Sequence, residues 1–285
     1  MIALDHFKTV ASQYKAVFLD SYGVLKNAAG IIPGVSEALD FLKEKNIPFY
    51  VLTNDASRGP EELIYRFHER GLKGLQLEHM VTSGMMTRDY LQHKLPGATI
   101  AYLGTKSAAA YMQEGGLTTI AIEEVDEEGL EQIRALAFLD DEGFDWQKGL
   151  NRAINLLRKI NIPVVIANSD LTYPSSRTEV SMAIGGLANL VEIISGKAFL
   201  HFGKPDGRMF LYAYDQLHAE GHRIDKREVL MVGDTLQTDI IGGNKFGFDT
   251  MLTLSGNTTA HQAEAQIRST GIIPDYIVHS IGDDF

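Results

Sequence analysis

The chain has 285 residues, 45% hydrophobic and 22% charged, so it can bury a sizeable core and is expected to hold two compact units rather than one. It has no cysteine, which excludes disulfides, thiolate metal sites and a cysteine nucleophile. A net charge of −11 argues against a surface that tracks nucleic-acid phosphates, although a local site for a small anion can still be positive.

In chain order, the first 20 residues, MIALDHFKTVASQYKAVFLD, lack a charged segment followed by a long apolar run. No stretch approaches the roughly 20 apolar residues that span a bilayer. A cytoplasmic protein without membrane contact is therefore expected. The apolar run 16–19 reads as a buried strand that leads into Asp20-Ser21-Tyr22-Gly23-Val24. Apolar residues every three or four positions predict a helix over 35–45. A second strand, 49–52, leads into Thr53-Asn54-Asp55, and a second helix is predicted over 60–70. From about 91 to 197 the chain carries its own alternation, with strands at 99–103, 135–139 and 164–167 and a helix over 146–159, but no cluster of strand-end acids. A helix over 209–220 follows, and then a strand, 229–232, that leads into Gly233-Asp234-Thr235-Leu236-Gln237-Thr238-Asp239.

Strands alternating with helices predict an α/β fold with a doubly wound, mainly parallel sheet and right-handed crossovers. Ligands bind at the carboxyl ends of such strands. Three strand ends carry the chemistry. Asp20 can act as a carboxylate nucleophile, and with Asp234 it offers hard oxygen ligands suited to magnesium. Two facing carboxylates would raise each other's pKa unless a cation lay between them. A backbone carbonyl at Tyr22 completes the expected ligand set, and Asp239 is expected in the second layer around the ion.

Thr53 and Asn54, with Asp55 and Arg58 beside them, are the expected phosphate and substrate contacts, and Lys204 adds a positive charge. In the middle segment, the loop carrying Asn168 and Asp170 is expected to bond a polar substrate such as a sugar, and Arg58 and Arg177 a second anionic group. Each residue alone has a plainer reading, as a helix cap, a turn former or a solvated loop residue. Their order, each close behind an apolar strand, points instead to phosphoryl transfer. The nine histidines show no metal-type spacing, so no zinc site is expected. A dehydrogenase-type nucleotide fold would need a glycine-rich turn after the first strand, where only Gly23 occurs.

Asp20, Thr53, Lys204 and Gly233-Asp234 with Asp239 resemble the four motifs of the haloacid dehalogenase superfamily, over nearly the whole chain. The stretches Thr53-Asn54-Asp55-Ala56-Ser57-Arg58, Val81-Thr82-Ser83-Gly84, Ala167-Asn168-Ser169-Asp170 and Gly203-Lys204-Pro205 are similar to its class IIA subgroup of nitrophenyl-phosphatase-like and sugar-phosphate phosphatases. The resemblance implies a Rossmann-like core at 1–91 and 198–285 and an α/β cap at 92–197, hinged near 92–97 and 195–199. It further implies Mg2+, an aspartyl-phosphate at Asp20, a small phosphorylated metabolite with sugar phosphate favoured, and a homodimer through the cap.

One departure stands out. Members usually carry a second Asp two positions after the nucleophile, as general acid and base; here that position is Tyr22. A phenol with a pKa near ~10 is a poor base at neutral pH, and such help is worth about 10² to 10⁴ in rate. Two functions therefore stay open: a magnesium-dependent phosphatase, or a phosphometabolite-binding protein with weak or lost hydrolysis.

Overall fold

The structure is a computed structural model and describes residues 4–176 and 179–282. Six parallel strands form the large sheet, in the order Tyr276–Val278, Asp249–Thr253, Val229–Gly233, Ala16–Leu19, Phe49–Thr53 and Met80–Thr82. Ala16–Leu19, Phe49–Thr53 and Val229–Gly233 are buried at every position, which is why they read as unbroken apolar runs instead of alternating ones. Neighbouring residues still face opposite layers. Val17 and Leu19 pack with Val35, Leu39, Leu63 and Phe67 of two helices on one face. Phe18 packs with Met209, Phe210 and Ala213 of the helix Gly207–Ala219 on the other.

Strand order reverses at Ala16–Leu19: the chain moves outward from it through Phe49–Thr53 and then returns on its other side with Val229–Gly233. Such a switch point leaves a crevice at the carboxyl ends of the two strands where ligands bind. Asp20 and Asp234 are the residues immediately beyond those ends.

A second parallel sheet takes the order Leu200–His201, Val164–Ile166, Ile133–Phe138, Thr99–Leu103 and Thr118–Ala121. Helices Trp146–Lys159 and Ile184–Ser195 cover one face. Helix Lys106–Glu114 lies on the other, where Tyr111 and Met112 join an apolar cluster that continues to Phe18 and Leu52 of the large sheet. The antiparallel hairpin Thr172–Pro174 with Val180–Met182 hangs from this second unit.

The predicted helix over 146–159 is seen at those bounds, and those over 35–45 and 60–70 end one residue early, at Glu44 and Glu69. Two features differ from expectation. The expected hinge at 92–97 is helical as far as Lys94, because Ser83–Lys94 forms a helix capped by the Thr82 side chain, which accepts from Met85 N–H. Its buried face includes Ser83, Gly84 and Thr87, so it carries no apolar stripe for periodicity to detect. The second sheet also extends to Leu200–His201, beyond residue 197. Among the described residues no helix is long and apolar enough to cross a membrane.

Candidate active site

The Asp20 amide donates to the Val232 carbonyl at 2.8 Å, which continues the strand pairing by one residue and sets Asp20 beside Gly233 and Asp234. Asp234 is held from both sides. Its Oδ1 accepts from the Thr235 hydroxyl at 2.8 Å and its Oδ2 from the Asn257 amide at 2.6 Å. Gly23 makes room for this carboxylate: with φ of +77°, a Cβ there would lie 2.1 Å from Asp234 Oδ2. Gly256, beside Gly23 against the same oxygen, is as tight, at 1.9 Å.

Gly23→Ala is expected to fail twice over. Left-handed backbone costs an L residue about 1–2 kcal/mol, and the methyl would push the Asp234 carboxylate out of place. Lower thermal stability is expected, together with at least about a tenfold loss of any activity that depends on the placement of this carboxylate; unchanged values in both would contradict this packing.

Lys204 lies at the centre of the site. Its buried ammonium is hydrogen-bonded to Asp20 Oδ1, donates to the Leu52 carbonyl at 2.7 Å and is paired with Asp239 Oδ1 at 2.7 Å. Carboxylate oxygens of Asp20, Asp234 and Asp239 all lie within 4.8 Å of one another. Burial raises the Asp20 pKa to about 7, against the pull of Lys204 and with a further push from Asp239. Burial also lifts Asp234 well above the usual range, reinforced by Asp20 and Asp239. Burial opposes the charge on Lys204, but the Asp20 and Asp239 carboxylates outweigh it and hold the ammonium protonated. Asp20 and Asp234 thus resist ionising together without a further cation, and an oxygen-only donor set of this kind fits a small hard divalent ion.

The other expected residues fall in three groups. Thr53 is buried at the end of its strand, where its hydroxyl accepts from the Asp55 amide at 3.2 Å. Asn54 is committed within the protein: its Oδ1 accepts from the Lys204 amide at 2.7 Å, and its Nδ2 donates to the Lys204 carbonyl at 3.0 Å and to Asp170 Oδ1 at 2.9 Å. Asp55 accepts from both the amide and the hydroxyl of Ser57, and Arg58 bonds Ser57 and Glu62 while lining the cavity edge. Asn168 forms a local turn by accepting from the Asp170 amide at 2.8 Å. Arg177 lies outside the described residues.

A cavity of about 1020 Å³ separates the large sheet's strand ends from the second unit and opens onto Asp20, Thr53, Lys204 and Asp234. Tyr22 lines it, but its hydroxyl donates to the Pro174 carbonyl of the hairpin at 3.0 Å. Burial raises the pKa of that phenol. The opposite wall carries Asp140, Asp141, Asp170 and Tyr173, with Tyr173 bonded to Asp141 at 3.1 Å. Gly23, Gly256, Asn257 and Asp140 were not anticipated from the sequence. A glycine shortly behind a strand-end Asp was a signal for Gly23. Asp140 directly follows the predicted strand 135–139, where Asp140-Asp141-Glu142 form a strand-end acid cluster contrary to the expectation for that segment; Gly256 and Asn257 sit on a loop without a motif.

A family model described as "Haloacid dehalogenase-like hydrolase" matches residues 17–118, and one described as HAD-hydrolase-like matches 201–283. The crystal structure of a "possible sugar phosphatase, HAD superfamily" from Cytophaga hutchinsonii is similar at a TM-score of 0.95 and 45% identity, covering 100% of both chains. Chronophin of Rattus norvegicus is 31% identical over 283 residues, 97% of this chain and 88% of that protein. An acid sugar phosphatase of Staphylococcus aureus is 29% identical over 253 residues, covering 88% and 91%.

Proposed function

The chain belongs to the haloacid dehalogenase-like hydrolases, and from that membership we propose that it is a phosphatase that hydrolyses a small phosphorylated metabolite by way of Asp20. The observation that carries this reading is the meeting of Asp20, Asp234, Asp239 and Lys204, drawn from distant parts of the chain, at the switch point of the large sheet.

In this reading the Asp20 oxygen not bonded to Lys204 attacks phosphorus, and a phosphoryl group is carried on Asp20 until water removes it. Lys204 and the Thr53 hydroxyl hold the equatorial oxygens, where charge builds up. Asp20, Asp234 and the Tyr22 carbonyl would hold Mg2+, with Asp239 behind them. When bound, the ion offsets negative charge on the carboxylates and the phosphoryl group.

We place the cap between the helix end at Lys94 and the strand Leu200–His201, over a cavity from which closure on a substrate would exclude water. Its wall of Asp140, Asp141, Asp170 and Tyr173 presents acceptors and a hydroxyl to a polyol, which favours a sugar phosphate. Cytoplasmic residence belongs to the same reading. So does pairing of two copies through the cap, where Leu190, Ile193 and Ile194 are exposed on one helix; a sedimentation coefficient of a monomer at micromolar concentration would remove that part.

Phosphate release from a panel of sugar, nucleoside and aryl monoesters, with magnesium and then with a chelator, tests the proposal. Release that needs magnesium and is fastest on sugar phosphates is expected. The second reading, a phosphometabolite-binding protein, is favoured by the commitment of the Tyr22 hydroxyl to the cap backbone. Tight phosphate-ester binding with no release from any ester would select it.

A further inference from the structure

We propose that Asp170, carried on the cap side of the cavity, is the acid that protonates the leaving oxygen and the base that then activates water. This rests on the phosphatase reading above. It answers the question raised by Tyr22, which stands where relatives of this kind usually carry the acid. The Tyr22 hydroxyl donates to the Pro174 carbonyl at 3.0 Å, so its proton is directed at the hairpin backbone and away from a substrate. Tyr22 thus ties the nucleophile loop to the cap, and a proton for the ester oxygen has to come from another side chain lining the cavity.

Asp170 is fixed relative to the phosphate cradle more firmly than any other acid on the cap wall. The loop that follows the strand Val164–Ile166 is pinned where the Ser169 hydroxyl donates to the Phe202 carbonyl at 2.7 Å, two residues before Lys204. Asp170 Oδ1 accepts from Asn54 Nδ2 at 2.9 Å. Asn54 in turn grips both the amide and the carbonyl of Lys204, at 2.7 and 3.0 Å. The carboxyl is therefore coupled to Thr53's neighbour and to the lysine turn, the two segments that would bracket a phosphate. Among the described residues its Oδ2 makes no hydrogen bond, and Asp170 lines the cavity. One oxygen is held and the other is free to exchange a proton.

Burial supports the assignment by raising the Asp170 pKa to about 6, against the pull of the Asn54 hydrogen bond and Lys204 and with a push from Asp239 and Asp55. At pH 7 about one molecule in ten then carries the acid form, and the conjugate base is not too weak to take a proton from water. Asp140 is raised to about 6 as well, first by burial and then by Asp141. Its Oδ2, however, accepts from Thr105 within the second unit at 3.1 Å, and no hydrogen bond joins it to Asn54 or Lys204 among the described residues. The Asp55 carboxylate accepts from the amide and hydroxyl of Ser57 within its own turn, and among the described residues no hydrogen bond joins it to Asn54 or Lys204.

In the first step the Asp20 oxygen forms a bond to phosphorus as the ester P–O bond breaks. The electron pair goes to the ester oxygen, which takes the Asp170 proton and leaves as an alcohol. In the second step a water oxygen bonds to phosphorus and gives a proton to the Asp170 carboxylate. The P–O bond to Asp20 breaks with its electron pair returning to Asp20, so both acids end as they began.

The test compares Asp170→Asn with the unaltered chain in single turnovers with magnesium, on an alkyl phosphate such as glycerol 2-phosphate and on 2,4-dinitrophenyl phosphate, whose leaving group needs no proton. The alkyl ester is expected to slow by about 10² to 10⁴, and dinitrophenol release by at least ten times less. For the unaltered chain, alkyl-ester cleavage is expected to fall as pH rises through about 6, a limb missing in Asp170→Asn. Asp170→Glu is expected to recover part of the alkyl-ester rate. Equal slowing on both esters, or the leaving-group-dependent loss appearing in Asp140→Asn instead, overturns the proposal. If the unaltered chain releases no dinitrophenol at all, the phosphatase reading itself falls, which is a separate outcome.

Discussion

Asp20→Asn should lose hydrolysis of every phosphate monoester together, by at least about 10⁴-fold, while keeping its fold. The amide is isosteric with the carboxylate and relieves one negative charge from a buried group of three acids, so thermal stability should hold or rise. The variant loses the attacking oxygen anion, and no other side chain at this strand end replaces it: Ser21 and Thr53 carry hydroxyls without a base beside them on which to shed a proton. Phosphate release and thermal unfolding, measured in the same preparation, check both halves. Activity that survives in Asp20→Asn would mean that hydrolysis happens elsewhere or by water alone.

Lys204→Met should be the most damaging single change to stability. Methionine has similar length, but it leaves Asp20 and Asp239 buried without their cation. Removing one partner of a buried ion pair costs about 3–5 kcal/mol, and loss of the charge that would face the phosphoryl oxygens should suppress turnover as well. The pH dependence distinguishes this cause from a mere loss of packing. Asp20 already sits above its unfolded pKa through burial, and removing Lys204 pushes it higher. A carboxyl whose folded pKa exceeds its unfolded value binds more protons folded than unfolded, so stability falls as pH rises through that interval. The variant's deficit should therefore be largest near pH 8 and shrink toward pH 5, read as the difference in unfolding free energy. A deficit independent of pH would point to packing.

Much of the scaffold was legible because its central strands are buried on both faces and therefore spelled as runs of Ala, Val, Phe and Leu. Helices with a clear apolar stripe, such as Trp146–Lys159, were equally plain. The outer strands were less so: Asp249–Thr253 mixes Asp and Thr with Met and Leu, and Thr118–Ala121 is only half-buried, so neither periodicity stands out. Lys204 was marked by the stretch Gly203-Lys204-Pro205 ahead of a helix, whereas Asp20, Thr53 and Asp234 could be picked out because each stands at or just behind the end of an apolar strand. Asn54 could be located in the same way, but not its task, since two of its three partners belong to Lys204, 150 residues away.

By itself, then, the sequence determined which segments bury themselves as strands and which side chains are presented at their ends, because burial and strand spacing are local properties written into residue type. Only the tertiary structure decided that the Tyr22 hydroxyl reaches the Pro174 carbonyl and that Asp170 reaches Asn54, 152 and 116 residues apart. Those contacts join two sheets whose relative placement depends on packing between complete units, and no periodicity within either stretch of chain encodes it.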